Sequence, residues 1–251
     1  MDYDVIIVGA GPAGLFTAIE LLYCESKKKI LIIEKEQPAE KRYCHITTDF
    51  SGVGDFSDGM LSLFCGSGGM LPQLIGERKT QELIDYTDSI YLEFGADEHM
   101  DRPIRYLKPE MAQRLYTRME KHLLDNGVEI RFGTACDDII LENGQCTGVI
   151  CSGSPIYSLY NVIATGKKGA DWLERICVSR GRSDKNLKKD NAGRIEMDER
   201  LKTNIKCLYF LGDCSGWTRG FMMASVMGVL MGQILYYPEF AQRVFMGDRC
   251  Y

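Results

Sequence analysis

Three short stretches hold residue types whose spacing could do chemistry. The first is "GAGPAG", residues 9 to 14, between the run "YDVIIV" and the helix-forming "LFTAIELLYC". Gly9 permits a tight turn, Gly11 lets backbone approach a pyrophosphate, and Gly14 lets helix and strand pack closely. The helix N-terminus then offers free N–H groups and a favourable dipole to an anion. Glu34 ends the next apolar run, twenty residues beyond Gly14. At that spacing a carboxylate accepts hydrogen bonds from an adenosine ribose. The second stretch is Gly212-Asp213, closing "IKCLYFLGD". It puts a carboxylate at the carboxyl edge of a sheet, where ligands bind. Such a group suits a sugar-alcohol chain. Nicotinamide dinucleotides lack one; FAD carries ribityl. A helix opening after Gly220, at Phe221, would aim its positive end at the same edge and favour a reduced, anionic flavin. The third is "IATGKKG", where Ala164, Thr165 and Gly166 let the chain pass close to a cofactor.

These residues need a frame. "YDVIIV" and "ILIIEK" are β-branched runs of the kind buried on both faces of a parallel sheet. With the helix between them they make a βαβ unit. Residues 38 to 108 hold two glycine-rich loops, "SGVGDFSDGML" and "CGSGGM", and a helix in "KTQELIDYTDSIYLEFG". "KPEMAQRLYTRMEKHLLDNG" is a clearer helix, with Pro109 in its first turn and Asn126-Gly127 at its end. "VEIRFG" returns as a strand. Asn143-Gly144 signals a hairpin, so two or three antiparallel strands interrupt the parallel pattern. "ADWLERI" reads as a short helix. The fold class expected is α/β: a Rossmann-like domain with a parallel sheet, a β-meander crossover and a reduced cap.

Composition narrows the function classes. The chain of 251 residues carries a net charge of −5 and calls for no nucleic-acid partner. Its 10 cysteines include no pair spaced CxxC, so reduced thiols and a cytoplasmic location are the default. The three histidines are too scattered to argue a metal site. The apolar stretch from Phe221 reads as a buried helix, not a membrane anchor. Residues 178 to 194, "VSRGRSDKNLKKDNAGR", form a polar strap read as a solvated loop.

The three stretches, in this order, resemble the FAD-binding domain of the glutathione-reductase-type flavoprotein superfamily. "GVGDFSDGML", "ELIDYTDSIYLEFGA", "ATGKKGADWLERI" and "LYFLGDCSGWTRGFMMASVMGV" are similar to the group of FAD-dependent dehydrogenases or NAD(P)/FAD-dependent oxidoreductases. Members of that group are usually longer, with a substrate-side domain between the "GADWL" helix and the last strand. The resemblance implies a discontinuous FAD-binding domain over 1–43 and 109–251, a small cap over 44–108, and a strap at 178–194 standing where the larger domain would be. It also implies that Arg42 lies near the cofactor and that backbone at Ala135 and Cys136 contacts adenine. Gln113 is a candidate for the ribityl chain.

The residues expected to touch FAD are therefore Gly9, Gly11, Pro12, Ala13, Gly14, Glu34, Lys35, Arg42, Ala135, Thr165, Gly166, Gly212, Asp213, Gly220 and Phe221. No catalytic residue is assigned. Ser57, Asp58, Cys65, Cys44, His45 and Cys214 are candidate neighbours of the ring. With one GxGxxG and no second, electrons would come from a small-molecule substrate, a transient nicotinamide or an external donor. A homodimer or a partner subunit is also an expectation. Two alternatives stay open: a flavin-binding electron-transfer protein without its own catalysis, and a thiazole synthase-like enzyme using a nicotinamide adenine dinucleotide as substrate.

Overall fold

The computed structural model describes residues 1–41, 59–97, 103–169, 172–174 and 187–237. Strand β1 (Tyr3–Val8) leads into helix α1 (Pro12–Tyr23) and strand β2 (Ile30–Ile33). Then come β3 (Met60–Ser62), α2 (Leu71–Ile75), α3 (Glu77–Glu93), β4 (Ile104–Tyr106), α4 (Pro109–Asp125) and β5 (Glu129–Arg131). Strands β6 (Cys136–Glu142), β7 (Gln145–Cys151) and β8 (Ser154–Ile163) follow, then β9 (Leu208–Phe210) and α5 (Phe221–Tyr236).

The seven-stranded sheet runs β5-β2-β1-β8-β7-β6, with β9 also paired to β8. β5, β2, β1, β8 and β9 are mutually parallel where they pair; β6, β7 and β8 form the antiparallel meander. The long β8 belongs to both parts. Its first residues pair with β7, and its last with β1 and β9. Beside β1 the connections diverge, to β2 on one side and β8 on the other. That divergence is the crevice where open α/β sheets bind ligands.

Side-chain alternation shows why these runs are strands. Val5, Ile7, Ile30 and Ile32 join the core on one face; Ile6, Val8, Leu31 and Ile33 join a second core on the other. All eight are almost fully buried, as expected of strands covered on both sides. The Asn143-Gly144 turn joins β6 to β7 with both residues at positive φ, 51° and 77°, the geometry of a two-residue hairpin.

Helices α1 and α5 lie against each other on the first face. A Cβ on Gly228 would stand 2.4 Å from the Ala13 carbonyl oxygen, and one on Gly232 would stand 2.6 Å from the Glu20 Cβ. The GxxxG spacing therefore serves close helix packing. Helix α3 joins the same core: Tyr91 stacks near Phe16, and its hydroxyl meets the Ser225 hydroxyl at 2.7 Å. No described helix is long and apolar enough to cross a membrane.

Candidate functional site

The carboxyl ends of β1, β2, β8 and β9 open on one cleft of about 1600 Å³. That exceeds the roughly 300–1,000 Å³ of an ordinary small-molecule pocket, as an extended dinucleotide requires.

The glycine turn after β1 forms one side. Gly9 has φ +109°, and a Cβ there would stand 2.4 Å from the Ala164 carbonyl oxygen. The third glycine stretch thus presses directly on the first. Gly14 lies behind the turn, where a Cβ would fall 2.0 Å from the Gly9 oxygen. Helix α1 starts with Gly11 as its cap residue, has Pro12 in its first turn, and carries no side-chain cap. Its first N–H groups are left for a ligand.

Glu34 is buried at the end of β2. Its carboxylate does more than the spacing suggested. One oxygen accepts the Ala10 N–H at 2.6 Å, and the other accepts the Glu36 N–H at 2.8 Å. The acid clamps the glycine turn to the end of β2. Glu34→Gln would turn an amide NH₂ toward one of these donors. We expect a loss of about 1–3 kcal/mol, read as a lower melting temperature, with weaker FAD uptake.

Asp213 sits in a short 3₁₀ turn, Gly212–Ser215, directly after β9. The Gly220 N–H donates to its carboxylate. Its Oδ1 is buried and has no hydrogen-bond partner. Burial pushes its pKa up to about 6, against the opposing pull of that N–H, Arg219 and Lys167. A buried acceptor left unmet is costly, so this oxygen fits a hydroxyl donor from a ligand. Helix α5 opens beside it from Gly220, again without a side-chain cap.

A second stretch of the lining comes from a part of the chain distant in sequence. Residues 67 to 70 line the cleft and pair with the segment before α5. Gly69 bridges Thr218, the Met70 N–H reaches the Trp217 oxygen at 2.8 Å, and the Arg219 N–H reaches the Gly68 oxygen at 2.7 Å. Gly69 has φ +130°, with Trp217 oxygen only 2.5 Å from where a Cβ would be. The Thr218 hydroxyl, buried and without a partner, lines the same wall.

The described part of the strap, residues 187–194, is exposed or half-buried, in keeping with a solvated loop, but its end is held in place. Within its described part, Ala192, Gly193 and Arg194 line the cleft. Asp190 accepts the Ala192 and Arg194 N–H groups, each at 2.9 Å, and the Arg194 Nε at 2.7 Å. The guanidinium stacks over Trp217 at 4.4 Å. Trp217 Nε1 in turn donates to the Ile195 oxygen at 2.7 Å. The run's last cation is held by the ring of Trp217, distant in sequence, and by the carboxylate of Asp190, four residues before it.

Of the residues expected at the cofactor, Gly9, Gly11, Pro12, Ala13, Glu34, Lys35, Ala135, Thr165, Gly166, Gly212, Asp213, Gly220 and Phe221 all line the cleft. Gly14 supports it from behind. Arg42, with Cys44, His45, Ser57 and Asp58, lies outside the described residues. Gln113 donates its amide to the Ala39 oxygen at 3.1 Å. Cys214 does not line the cleft: it is buried in the second core, its thiol directed at the Leu211 oxygen at 3.1 Å, and burial pushes its pKa up to about 11. The Cys65 N–H donates to the Gln81 side chain, and the residue packs against the first core. Among the described residues no group of three His, Cys, Asp or Glu could hold a metal ion.

A profile of pyridine nucleotide-disulphide oxidoreductases matches residues 89–229, more than half of the chain. The chain belongs to this family. A profile of the FAD binding domain matches residues 4–54, spanning the glycine turn and Glu34. The family assignment, the FAD cofactor and the Rossmann-type fold agree with the sequence reading. A curated relative, thiamine thiazole synthase of Aeropyrum pernix, is 28% identical over 160 residues, covering 62% of this chain and 46% of the relative. This member of the family therefore spans less than half the length of that protein. The structure of Thermovibrio ammonificans THI4 matches with a TM-score of 0.57 at 18% identity, over 97% of this chain and 90% of that one. E. coli quinol fumarate reductase FrdA matches with a TM-score of 0.60 at 11% identity, over 100% of this chain and 72% of that one. At these identities the two structures speak to the fold alone.

Proposed function

We propose that this chain is an FAD-dependent oxidoreductase in which a small organic substrate, or an external donor, exchanges hydride with the flavin. The observation that carries the reading is Asp213: a buried carboxylate oxygen with no partner, at the carboxyl edge of the sheet, next to Gly212, which lies against Ala13 in the first turn of the uncapped α1. The first N–H groups of α1 would hold the pyrophosphate, Glu34 the adenosine ribose, and Asp213 the ribityl hydroxyls. Ala135 backbone would meet adenine. When bound, FAD supplies the hydride chemistry. The chain's own residues orient it and set the field: the positive end of α5, beside Gly220 and Phe221, favours negative charge on the ring. The glycine wall at 67–70 and the strap end at 192–194 would border the substrate.

The strap over 178–194 is proposed to stand in place of a larger substrate-side domain, on a discontinuous platform of 1–43 and 109–251 with 44–108 as a small cap. The clamp of Arg194 on Trp217 supports this reading, because it fixes the strap's last residue at the cleft.

The test is anaerobic mixing of the FAD-loaded protein with NADH or NADPH and with reduced small-molecule donors. Loss of the oxidised flavin band is expected with at least one donor class, and turnover with an added acceptor. Firm FAD binding with no reduction by any donor would support a non-catalytic flavoprotein instead. A second reading rests on the Aeropyrum pernix relative: a thiazole synthase-like enzyme that consumes a nicotinamide adenine dinucleotide. Mass analysis of the adenine dinucleotide retained by the protein separates them, since that reading requires a nicotinamide-derived product and no isoalloxazine.

A further inference from the structure

Cys136 and Cys151 are register partners across the antiparallel β6–β7 pair. Opposed residues in such a pair have Cα atoms about 4.5–5.5 Å apart, inside the roughly 4.4–6.8 Å that a disulfide spans. The Cys136 thiol donates to the Asp138 oxygen at 3.4 Å, and the two neighbouring thiols perturb each other, Cys151 raising the pKa of Cys136 and Cys136 lowering that of Cys151. Other thiols of the fold are aimed elsewhere: Cys24 at Glu20, Cys146 at the Gly148 oxygen, and Cys214 at the Leu211 oxygen. Cys136 lines the cleft beside Ala135, while Cys151 is 5% exposed and sits in the second core.

We propose that Cys136 and Cys151 are a redox-active dithiol that closes to a cross-strand disulfide when met by a peroxide, at the rim of the cleft. Cys136 lines the cleft and is the thiol a peroxide reaches, while Cys151 stands behind it, 5% exposed. The Cys136 sulfur attacks one oxygen of hydrogen peroxide, and the O–O bond breaks. The hydroxide released combines with the proton given up by Cys136 and leaves as water. The Cys151 sulfur then attacks the resulting sulfenic sulfur. The S–S bond forms, the S–O bond breaks, and hydroxide takes the Cys151 proton as a second water. The two thiols lose two electrons, and the peroxide is reduced by two.

The cleft position adds a consequence that rests on the FAD reading above. If adenine lies on Ala135, bound FAD covers Cys136 and slows closure.

The experiment uses the full chain, reduced and desalted, then treated with stoichiometric hydrogen peroxide with and without FAD. After thiol blocking, digestion at Glu142 separates the peptide carrying Cys136 from the one carrying Cys146 and Cys151, and fragmentation of the linked pair shows Cys146 blocked and Cys151 joined. The expected result is loss of two free thiols, an intact mass lower by two hydrogens with no oxygen added, and the two peptides joined until dithiothreitol is added. Cys136→Ser or Cys151→Ser should abolish the link. Stable oxygen adducts at either cysteine, or links from either to other cysteines in its place, would overturn the proposal. The peptide map on unmutated protein decides this even if a variant folds poorly. A link that forms equally fast with saturating FAD leaves the dithiol standing and contradicts adenine at Ala135.

Discussion

Asp213→Asn is expected to make the cofactor-free protein more stable and to weaken FAD binding about 10–100-fold, as for the loss of a hydrogen bond to a charged acceptor. Both effects come from one oxygen. In the free protein the carboxylate is buried and half-satisfied, and its pKa stands at about 6, raised by burial. An acid with a raised folded pKa adds stability at low pH. That stability is whole below the unfolded value near 4 and is lost as pH rises through about 6. At pH 8 the ionised group is a burden that the neutral amide removes. The gain is about 1–3 kcal/mol, discounted for partial solvation. That amounts to about 2–4 °C in melting temperature per kcal/mol for a chain of this size. Ribityl hydroxyls would favour the carboxylate, so FAD affinity should rise with pH up to about 6 and level above it. The variant should lose this dependence. Melting curves of the FAD-free protein at pH 5 and pH 8, with FAD titrations at the same pH values, check all three statements. A destabilised variant with unchanged FAD affinity would contradict the assigned role.

Gly9→Ala is expected to have the larger effect on the fold. The residue holds φ +109°, and the new methyl would stand 2.4 Å from a backbone oxygen of Ala164. Neither β1 nor β8 can yield easily, because the Ala164 N–H is tied to the Val8 oxygen at 2.8 Å and the Gly9 N–H to the Ile33 oxygen at 2.8 Å. Strain and collision together should exceed about 3 kcal/mol, with FAD binding lost. Gly144→Ala is the matched control. It also has a positive φ, 77°, but nothing lies within 4 Å of its Cβ, so only about 1–2 kcal/mol of conformational strain is expected. Thermal unfolding of the two variants separates backbone strain from collision. Equal losses would mean that the approach of Ala164 to the turn has been misjudged.

Local chemistry made part of this architecture legible. A β-branched run buried on two faces, a glycine turn and an acid at a fixed distance belong to one continuous segment. So do Asn143-Gly144 and the Gly-Asp ending of β9. Their meaning depends on neighbours in sequence, and the sequence displays those. The wall at 67–70 depends on Gly69 meeting Thr218, a contact between distant segments with no shared periodicity. Glu34 was visible as an acid at ribose spacing, yet its grip on the Ala10 and Glu36 N–H groups needs the folded turn. Cys214 looked like a neighbour of the ring because it adjoins Asp213. The 3₁₀ turn directs adjacent side chains apart and sends that thiol into the core. Composition gave Arg194 a solvated surface; Trp217 and Asp190 give it a fixed place.

The central claim is that one FAD lies along this cleft, its pyrophosphate at α1 and its ribityl chain at Asp213. The most direct measurement is calorimetric titration of the cofactor-free protein with FAD, beside the same titration of Asp213→Asn, with NAD as competitor. The account predicts one FAD per chain, an affinity reduced about 10–100-fold in the variant, and no displacement by NAD at matched concentration. Failure to take up FAD in excess, or binding of NAD in its place, would contradict it.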